Sequence, residues 1–391
     1  MLTPAEYQAR ILGDLPAPTP THVPLRDARG MVLAEDVHTP IPLPIFDNSA
    51  MDGYALRLSD LTGDSLPVAG ESAAGSATAT LPAGHAMKVM TGAPIPIGAD
   101  CVAPYEATDR GAATVRISER PTPGVHIRRR GEDLQVGDVV APRGATLTPR
   151  HMAAIAATGV AEVPAYAAMT RVAVVSTGAE LRQPGEDLTD GAIFESNGLM
   201  LAELARDHRA EASATSVTDD PAALLTHLTG LAATHDLIIT TGGVSAGDYD
   251  VVKAALAPLG VWFGPVAMQP GKPQGFGHVD GTPIICLPGN PVSAYVSFVL
   301  FVRPALRRLM GHPDPVDRPM RARLAHEMVS PAGKTQFLRG AYADGIVSQV
   351  RGPGSHLIGA LAAANALVEI PAEATTLAAG SDVNVWLMEQ S

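Results

Sequence analysis

Three loops of small residues, each directly after an apolar run of strand length, are the first candidates for chemistry in this sequence of 391 residues. They are "STGAEL" (176–181), "TTGGVSAGDYD" (240–250) and "LPGNPVS" (287–293). Open parallel sheets bind ligands outside the carboxyl ends of their strands, and all three loops fall at that edge. Glycines let the backbone approach a ligand, and helix N-termini offer free N–H groups to anions. The three loops together predict an anionic ligand.

Acidic residues follow the same strands. Asp220 stands where the cap of a helix is expected. Glu180, Asp219, Asp248 and Asp250 lie at the same edge, and Asp219 and Asp250 have less of a structural role to fill. Carboxylates beside a phosphate-binding loop suggest Mg²⁺, which is held by one or two carboxylates together with substrate oxygens. A second explanation fits each acid about as well as a metal site: a carboxylate near the start of a helix compensates the partial positive charge there.

Lys272 lies in a tight turn, "QPGKPQGFG". A lysine fixed in such a turn is a better anion ligand than one on a flexible face, although a solvated turn lysine is the commoner case. Neither the P-loop nor the dinucleotide glycine motif occurs, so both functions are disfavoured. The twelve histidines show no ligand spacing, and none is assigned to a metal.

A further polar stretch, "PIFDNSAMDGYA" (44–55), holds Asp47 and Asp52 with no basic residue close by in sequence to balance them. Asp, Asn, Ser and Gly favour tight turns, which is the simple explanation. The alternative is a loop that faces a ligand. The run Arg128–Arg130 in "RRRGED" could bind phosphate, or could pair on the surface with Glu132 and Asp133, and both interpretations stay open.

Length and composition argue against several classes of protein. The length predicts two to four domains, and a net charge of −12 argues against a nucleic-acid partner. The two cysteines, Cys101 and Cys286, indicate neither a disulfide framework nor a zinc site, so a reducing cytoplasm is expected. The first 16 residues do not have the pattern of a signal peptide, and the longest apolar run is too short to span a membrane.

The order of the predicted elements outlines a multidomain α/β protein. "TPAE" predicts a helix at the start of the chain, and Thr148-Pro149 begins another that Gly159 ends. Between them, residues 40–140 read as short strands and turns, as if inserted into a helical linker domain. Residues 171–310 alternate between strands and helices, which predicts a parallel sheet covered on both faces. A small β domain follows Pro313.

These motifs, in this order, resemble the family of molybdopterin molybdenumtransferases, also called MoeA, and the related E domain of gephyrin. The resemblance covers nearly the whole chain. It rests on these stretches: "FDNSAMDGYA", "MTGAPIPIGAD", "RRRGEDL", "RVAVVSTGAEL", "SNGLML", "TTGGVSAGDYD", "PGKPQGFG", "LPGNPVSAYVSF" and "GSHLIGALAAANALVEIP".

The resemblance implies an elongated homodimer of α/β multidomain subunits. It implies a discontinuous helical linker domain (1–43 and 141–168), an inserted β domain (44–140), a MogA-like α/β molybdopterin-binding domain (169–312) and a C-terminal β barrel (318–391). Members of the family insert molybdate into adenylylated molybdopterin and release AMP with the help of Mg²⁺. Their active cleft is shared between two subunits. The adenylyltransferase and apo-molybdoenzymes are further candidate partners; nucleic acid and membrane are not.

Position by position, the resemblance implies catalytic roles for Asp52, Thr91, Glu180, Asp219 and Asp250, of which the last three would hold Mg²⁺. The residues expected to bind substrate share the glycine loops or carry groups that contact oxyanions. They are Gly242, Gly243, Ser245, Lys272, Pro288, Gly289, Asn290, Pro291, Arg339 and Ser355.

The chain departs from the family pattern at two positions. Ala179 replaces an acid that often precedes the glutamate of "TGxEL", and Gln269 replaces a lysine of the presumed molybdate cradle. The Gln269 change removes a positive charge, which bears on affinity for the oxyanion rather than on the fold. Two alternative functions remain: a molybdopterin adenylyltransferase, and a scaffold without catalysis similar to gephyrin.

Overall fold

The chain forms two compact units, one of residues Met1–Thr21 with Tyr166–Ser391 and the other of His22–Ala165. The structure, a computed structural model, describes residues 1–166, 169–244 and 250–388. The four predicted domains and their boundaries stay predictions.

The first helix, α1 (Pro4–Asp14), begins with the predicted capping box. The hydroxyl of Thr3 accepts from the Glu6 N–H at 3.2 Å, and Glu6 Oε2 accepts from the Thr3 N–H at 2.8 Å. Tyr7 and Ile11 are fully buried in the core of the α/β domain, where the Tyr7 hydroxyl donates to Gly275 O at 2.9 Å. This burial is why α1 packs with the first unit.

From residue 20 to residue 166 the chain forms mainly short strands and one α-helix; the strands are predicted for residues 40–140 and the helix after Thr148. The elements are β1 (Pro20–Pro24), β2 (Val37–His38), β3 (Asn48–Ser49), β4 (Gly53–Leu56), β5 (Ser65–Ser72), β6 (Ala86–Val89), β7 (Cys101–Pro104), β8 (Thr114–Arg116), β9 (Ile127–Arg128), β10 (Val139–Ala141), α2 (Pro149–Ala157) and β11 (Glu162–Tyr166). Five of the strands form a sheet in the order β7-β4-β6-β5-β8. Helix α2 begins after Thr148, and Gly159, with a φ of 80°, follows its end.

An α/β domain follows, and its central sheet has six strands. Its elements are β12 (Arg171–Thr177), β13 (Leu181–Arg182), β14 (Ile193–Phe194), α3 (Asn197–Asp207), β15 (Glu211–Val217), α4 (Pro221–Ala232), β16 (Leu237–Thr241), α5 (Val251–Leu256), β17 (Trp262–Pro265), β18 (Met268–Gln269), β19 (Pro273–Val279), β20 (Thr282–Leu287), α6 (Pro291–Ser297) and α7 (Arg303–Leu309). The strand order is β15-β12-β16-β20-β19-β17. Along β12, Val172 and Val174 pack into one core and Ala173 and Val175 into another, so the sheet is covered on both faces as predicted.

The prediction of a parallel sheet is wrong at two of the five strand pairings, because β19 runs against the other strands. β15, β12, β16 and β20 are parallel, but β19 runs antiparallel to β20 and β17 antiparallel to β19. Val279 pairs with Thr282, so Asp280-Gly281 is a two-residue turn, and both residues have positive φ (46° and 84°). Asp-Gly favours such a hairpin turn, and this local preference prevails over the general alternation of strands and helices.

The long apolar segment between α6 and α7 contains a π-helical turn, Phe298–Val302, ahead of Pro304. Proline has no N–H, so the carbonyl of Leu300 lacks the donor that an α-helix would supply. Gln8 Nε2 of α1 donates to that carbonyl at 2.6 Å instead. In the parts of the chain that the structure describes, no helix combines the length and apolar character needed to cross a membrane.

His208, which follows α3, gives a testable pH dependence of stability. Its ring stacks on Phe298 at 6.1 Å, and burial, followed by the charge of Arg303, lowers its pKa to about 4. The unfolded chain binds the proton more readily, so the contribution of His208 is complete above the ordinary histidine pKa and is lost as the pH falls from about 6.5 toward 4. Urea unfolding of His208→Gln should show a smaller loss of unfolding free energy between pH 7 and pH 4.5 than wild type. Equal losses would contradict this.

The C-terminal region is a closed barrel. Its elements are β21 (Met320–Leu324), β22 (Met328–Val329), β23 (Thr335–Ala343), β24 (Ile346–Gln349), α8 (Ile358–Ala362), β25 (Ala366–Ile370), β26 (Thr376–Leu377) and β27 (Asp382–Leu387). The barrel strands are neighbours in the order β23-β24-β21-β27-β25, and β25 pairs again with β23. β18 of the α/β domain adds to β23 in parallel.

Candidate functional site

A cavity of about 1170 Å³, which we call the carboxyl-edge cavity, is lined by the loops that follow β12, β16 and β20. The structure thus brings the three predicted loops together at one edge of the sheet. Ten of the predicted site residues line this cavity: Glu180, Asp219, Gly242, Gly243, Asp250, Pro288, Gly289, Asn290, Pro291 and Ser355. Ser245 lies outside the described residues.

Glycine is required where these loops meet. Gly242 has a φ of 97°, and a Cβ on it would lie 2.8 Å from the carbonyl oxygen of Thr177. A Cβ on Gly289 would in turn lie 3.3 Å from the Cα of Gly242. The ends of β12, β16 and β20 therefore pack backbone against backbone, and a larger residue at Gly242 would push them apart.

Asn197, the first residue of α3, ties two of these loops together. Its Nδ2 donates to Thr241 Oγ1 at 3.1 Å and to the carbonyl of Gly289 at 2.7 Å. Thr241 Oγ1 then donates to the carbonyl of Pro288 at 3.2 Å. Asn197 is not among the site residues predicted from the sequence, because its partners are distant in the chain and its only local signal is its place in "SNGLML".

Replacement of Asn197 by aspartate tests this connection. Aspartate has the same size but no N–H, so both donated bonds are lost and a carboxylate faces two oxygens. We expect Asn197→Asp to lower the free energy of unfolding by about 2 kcal/mol and to weaken ligand binding in the carboxyl-edge cavity. Asn365→Asp is a matched control, since Asn365 Nδ2 donates to the carbonyl of Tyr342 at 2.9 Å in the barrel. The Asn365→Asp variant should be less stable than wild type but should bind ligand in the carboxyl-edge cavity as wild type does.

Glu195, beside Asn197, has a structural role. It is 8% exposed, and its Oε1 accepts from Ser176 Oγ at 2.8 Å and from the N–H of Gly198 at 2.6 Å. These bonds join the end of β12 to the first turn of α3. The carboxylate also lines the carboxyl-edge cavity.

The three predicted metal ligands have different surroundings. Asp219 Oδ2 accepts from the N–H of Ala179 at 2.9 Å, so this carboxylate helps to fix the loop after β12. Glu180 folds toward Gly178, where a Cβ would lie 2.7 Å from each carboxylate oxygen. Asp250 Oδ2 is buried and has no hydrogen-bond partner among the described residues. Across residues 1–166, 169–244 and 250–388, no three His, Cys, Asp or Glu side chains form a group that could hold a metal ion.

The charged side chains that line the carboxyl-edge cavity are acidic. Four carboxylates line it, those of Glu180, Glu195, Asp219 and Asp250. Among the described residues that line it, none is Lys or Arg. An anion that enters this cavity therefore needs backbone N–H groups, a cation or both to balance the repulsion.

Two predicted cationic contacts do not line the cavity. Lys272 is exposed, although Gln269, Pro270, Gly271 and Pro273 around it are lining residues. Arg339 is only 2% exposed, and its guanidinium donates to the carbonyls of Gly354, at 3.1 Å, and Gly352. In this structure Arg339 holds the loop that carries Ser355. The sequence does not reveal that two nitrogens of this guanidinium already donate to backbone carbonyls of the protein.

Asp52 and Thr91 come together in the unit of residues 22–165. Asp52 Oδ1 accepts from the Thr91 N–H at 2.7 Å and from Thr91 Oγ1 at 2.9 Å. These hydrogen bonds hold the pKa of Asp52 below its usual value, so the exposed carboxylate is charged at neutral pH.

The sequence suggests that neither acid of the stretch 44–55 has a basic partner, but for Asp47 this is wrong. Its Oδ2 accepts from Arg129 Nη1 at 2.7 Å, and its Oδ1 from the N–H of Arg130 at 2.8 Å. Burial acts to raise the pKa of Asp47, but these bonds outweigh it and the pKa is lowered. One arginine of the basic run thus pairs with Asp47, a partner that neither interpretation had considered, while the Arg129 N–H donates to Glu132.

Comparison with known protein families finds three matches along the chain. Residues 2–159 match the MoeA N-terminal region (domain I and II), residues 173–308 a probable molybdopterin binding domain, and residues 321–388 the MoeA C-terminal region (domain IV). In order, these matches account for most of the sequence.

Individual relatives indicate the same family as the three domain matches. The chain is 47% identical to molybdopterin molybdenumtransferase 2 of Mycobacterium tuberculosis, over 97% of this chain and 98% of that protein. It is 38% identical to molybdopterin molybdenumtransferase of Haemophilus influenzae, over 98% of each. Two structures of molybdopterin biosynthesis MoeA protein from Pyrococcus horikoshii superimpose with TM-scores of 0.86 and 0.83 at 29% and 30% identity, and cover at least 99% of this chain and 100% of theirs. The chain belongs to the MoeA family of molybdopterin molybdenumtransferases.

Proposed function

We propose that this protein takes part in molybdenum cofactor biosynthesis as a molybdopterin molybdenumtransferase. In the proposed reaction, molybdate and adenylylated molybdopterin give the molybdenum cofactor and AMP. The observation that carries the proposal is the carboxyl-edge cavity, in which three glycine-bearing loops and four carboxylates meet. The relatives carry the name of this activity.

The protein's part in this reaction is to hold two anions next to one another. The backbone N–H groups of the glycine loops would bind the oxygens of molybdate and of the phosphoanhydride. The close backbone packing at Gly242 and Gly289, fixed by Asn197, keeps those groups in place before the substrates arrive. The dithiolene sulfurs of the substrate supply the ligands for molybdenum, and the chain supplies orientation.

The residues of the cavity fit a requirement for Mg²⁺. Asp250, whose buried Oδ2 has no partner in the described parts of the chain, is the best placed ligand, with Asp219 and Glu180 as the other candidates. A preformed group of three ligands is not needed, because Mg²⁺ is usually held by one or two carboxylates and by oxygens of the substrate. When bound, the ion would neutralise charge on the phosphoryl group as AMP leaves.

The proposal extends to a homodimer with a shared active cleft. Asp52 would act from a second subunit, charged and exposed through its bonds to Thr91. The homodimer is tested by measuring the molar mass of the protein in solution. The shared cleft is tested by mixing Asp52→Asn subunits with Asp250→Ala subunits and measuring activity. A shared cleft predicts that the mixed dimer regains activity at one of its two sites.

The reaction is tested by incubating the protein with adenylylated molybdopterin and Mg²⁺, with and without molybdate. Release of AMP that requires molybdate would support the proposal. Consumption of ATP with plain molybdopterin would instead identify an adenylyltransferase. No reaction with either molybdate or tungstate would favour a scaffold without catalysis.

A further inference from the structure

The loop of residues 352–356, between β24 and α8, reaches the carboxyl-edge cavity from the barrel. Four of its residues line the cavity: Pro353, Gly354, Ser355 and His356. Of these four residues, only Ser355 is among the predicted site residues. The loop therefore adds a histidine to a cavity whose other lining residues, apart from Ile358, come from the α/β domain.

The loop is fixed at both of its sides. On the barrel side, the buried guanidinium of Arg339 donates to the carbonyls of Gly352 and Gly354. On the α/β side, the N–H of Val292, in the first turn of α6, donates to the carbonyl of Ser355 at 3.1 Å. These bonds hold the backbone directly before His356, and the N–H of Ile358 donates to the carbonyl of His356 itself at 2.9 Å. His356 is therefore presented by a hydrogen-bonded segment rather than by a free surface loop.

His356 differs from the other described residues that line the cavity because its side chain is basic. Four carboxylates line the cavity, and no Lys or Arg is found among its described lining residues. Lys272 and Arg339 are not among the lining residues; Lys272 is exposed, and two nitrogens of the Arg339 guanidinium donate to carbonyls of the loop. His356 is thus the one side chain among the described lining residues that can carry a positive charge. Even when neutral, an imidazole keeps one N–H to donate.

We propose that His356 contacts a tetrahedral oxyanion bound in the carboxyl-edge cavity. This inference rests on the proposed function and deepens it, because that function brings two such anions into the cavity. The anion is either molybdate or the phosphate of the adenylylated pterin, which present the same negatively charged oxygens. The imidazole partly makes up for the positive charge that Gln269 removes from the presumed cradle.

Direct binding tests the proposal without the full reaction. Molybdate alone and inorganic pyrophosphate alone, the latter as a stand-in for the phosphoanhydride, are titrated by calorimetry in the presence of Mg²⁺. The proteins are wild type, His356→Gln and His356→Lys. His326→Gln is the matched control, since His326 is an exposed histidine of the barrel region and does not line the cavity.

His356→Gln should weaken binding of one anion about tenfold, the loss expected for one charge-assisted hydrogen bond. His356→Lys should restore most of that affinity, and His326→Gln should bind like wild type. The anion that responds identifies the source of the oxyanion. Unchanged affinity of His356→Gln for both anions, or no binding of either anion to wild type, would overturn the proposal. Failure of the proposed function is a separate result, since it would be seen as absence of AMP release by wild type.

Discussion

Asp250→Ala is expected to reduce Mg²⁺-dependent release of AMP by about 100-fold or more while the melting temperature stays near that of wild type. The loss of activity follows from the removal of the best placed metal ligand, because a bound metal ion contributes several kcal/mol of charge stabilisation. Stability should be spared because Asp250 caps α5 without a side-chain bond, and its buried Oδ2 has no partner among the described residues.

Asp220→Ala is the matched control for this variant. Asp220 caps α4, with its Oδ1 accepting from the N–H groups of Ala222 and Ala223 at 2.8 and 3.1 Å. Its loss should cost about 1 kcal/mol of stability and leave the release of AMP close to that of wild type. The reverse pattern, with Asp250→Ala active but unstable, would show that Asp250 is structural and would remove the main support for a metal site.

Asp52→Asn is expected to abolish molybdenum insertion, with dimer formation and melting temperature near those of wild type. The amide oxygen of asparagine can still accept both bonds from Thr91, so the local structure should persist while the negative charge is lost. Molybdenum bound to pterin, measured after a fixed reaction time, checks the loss of function. Thermal unfolding checks the fold.

Asp47→Asn provides the comparison within the same stretch. Asp47 pairs with Arg129 across partly exposed side chains, so its loss should change stability by less than about 1 kcal/mol and leave insertion intact. If Asp52→Asn inserts molybdenum at the wild-type rate, the charge of Asp52 has no part in the reaction. A collapse of stability in Asp52→Asn would assign the residue to turn structure instead.

Sequence alone was a good guide to the fold where a short-range signal controls the structure. The capping box of α1, the cap of α4 by Asp220 and the end of α2 at Gly159 each depend on residues within a few positions. The antiparallel β19 was missed, although the Asp280-Gly281 turn signal was present, because the alternation of strands and helices was given more weight. The packing of α1 against the α/β core depends on contacts with residues more than 250 positions away, such as Gly275.

The candidate site was predictable in outline for a topological reason. Parallel strands end at one edge, so their loops had to meet once the strands were recognised. The roles of single residues were not predictable, since they depend on partners far along the chain. Asn197 connects residues 44 and 92 positions away, and Asp47 pairs with Arg129. The sequence did not reveal that the guanidinium of Arg339 donates to the carbonyls of a neighbouring loop, and its predicted contact with an oxyanion stays a prediction.

The central claim is that molybdenum insertion and AMP release are one reaction of this protein. It is tested most directly by counting both products when wild-type protein reacts with adenylylated molybdopterin, Mg²⁺ and molybdate. We predict equal amounts of AMP released and molybdenum bound to pterin, and a strong decrease in AMP without molybdate. Release of AMP at the same rate without molybdate, with no molybdenum bound to pterin, would contradict the account.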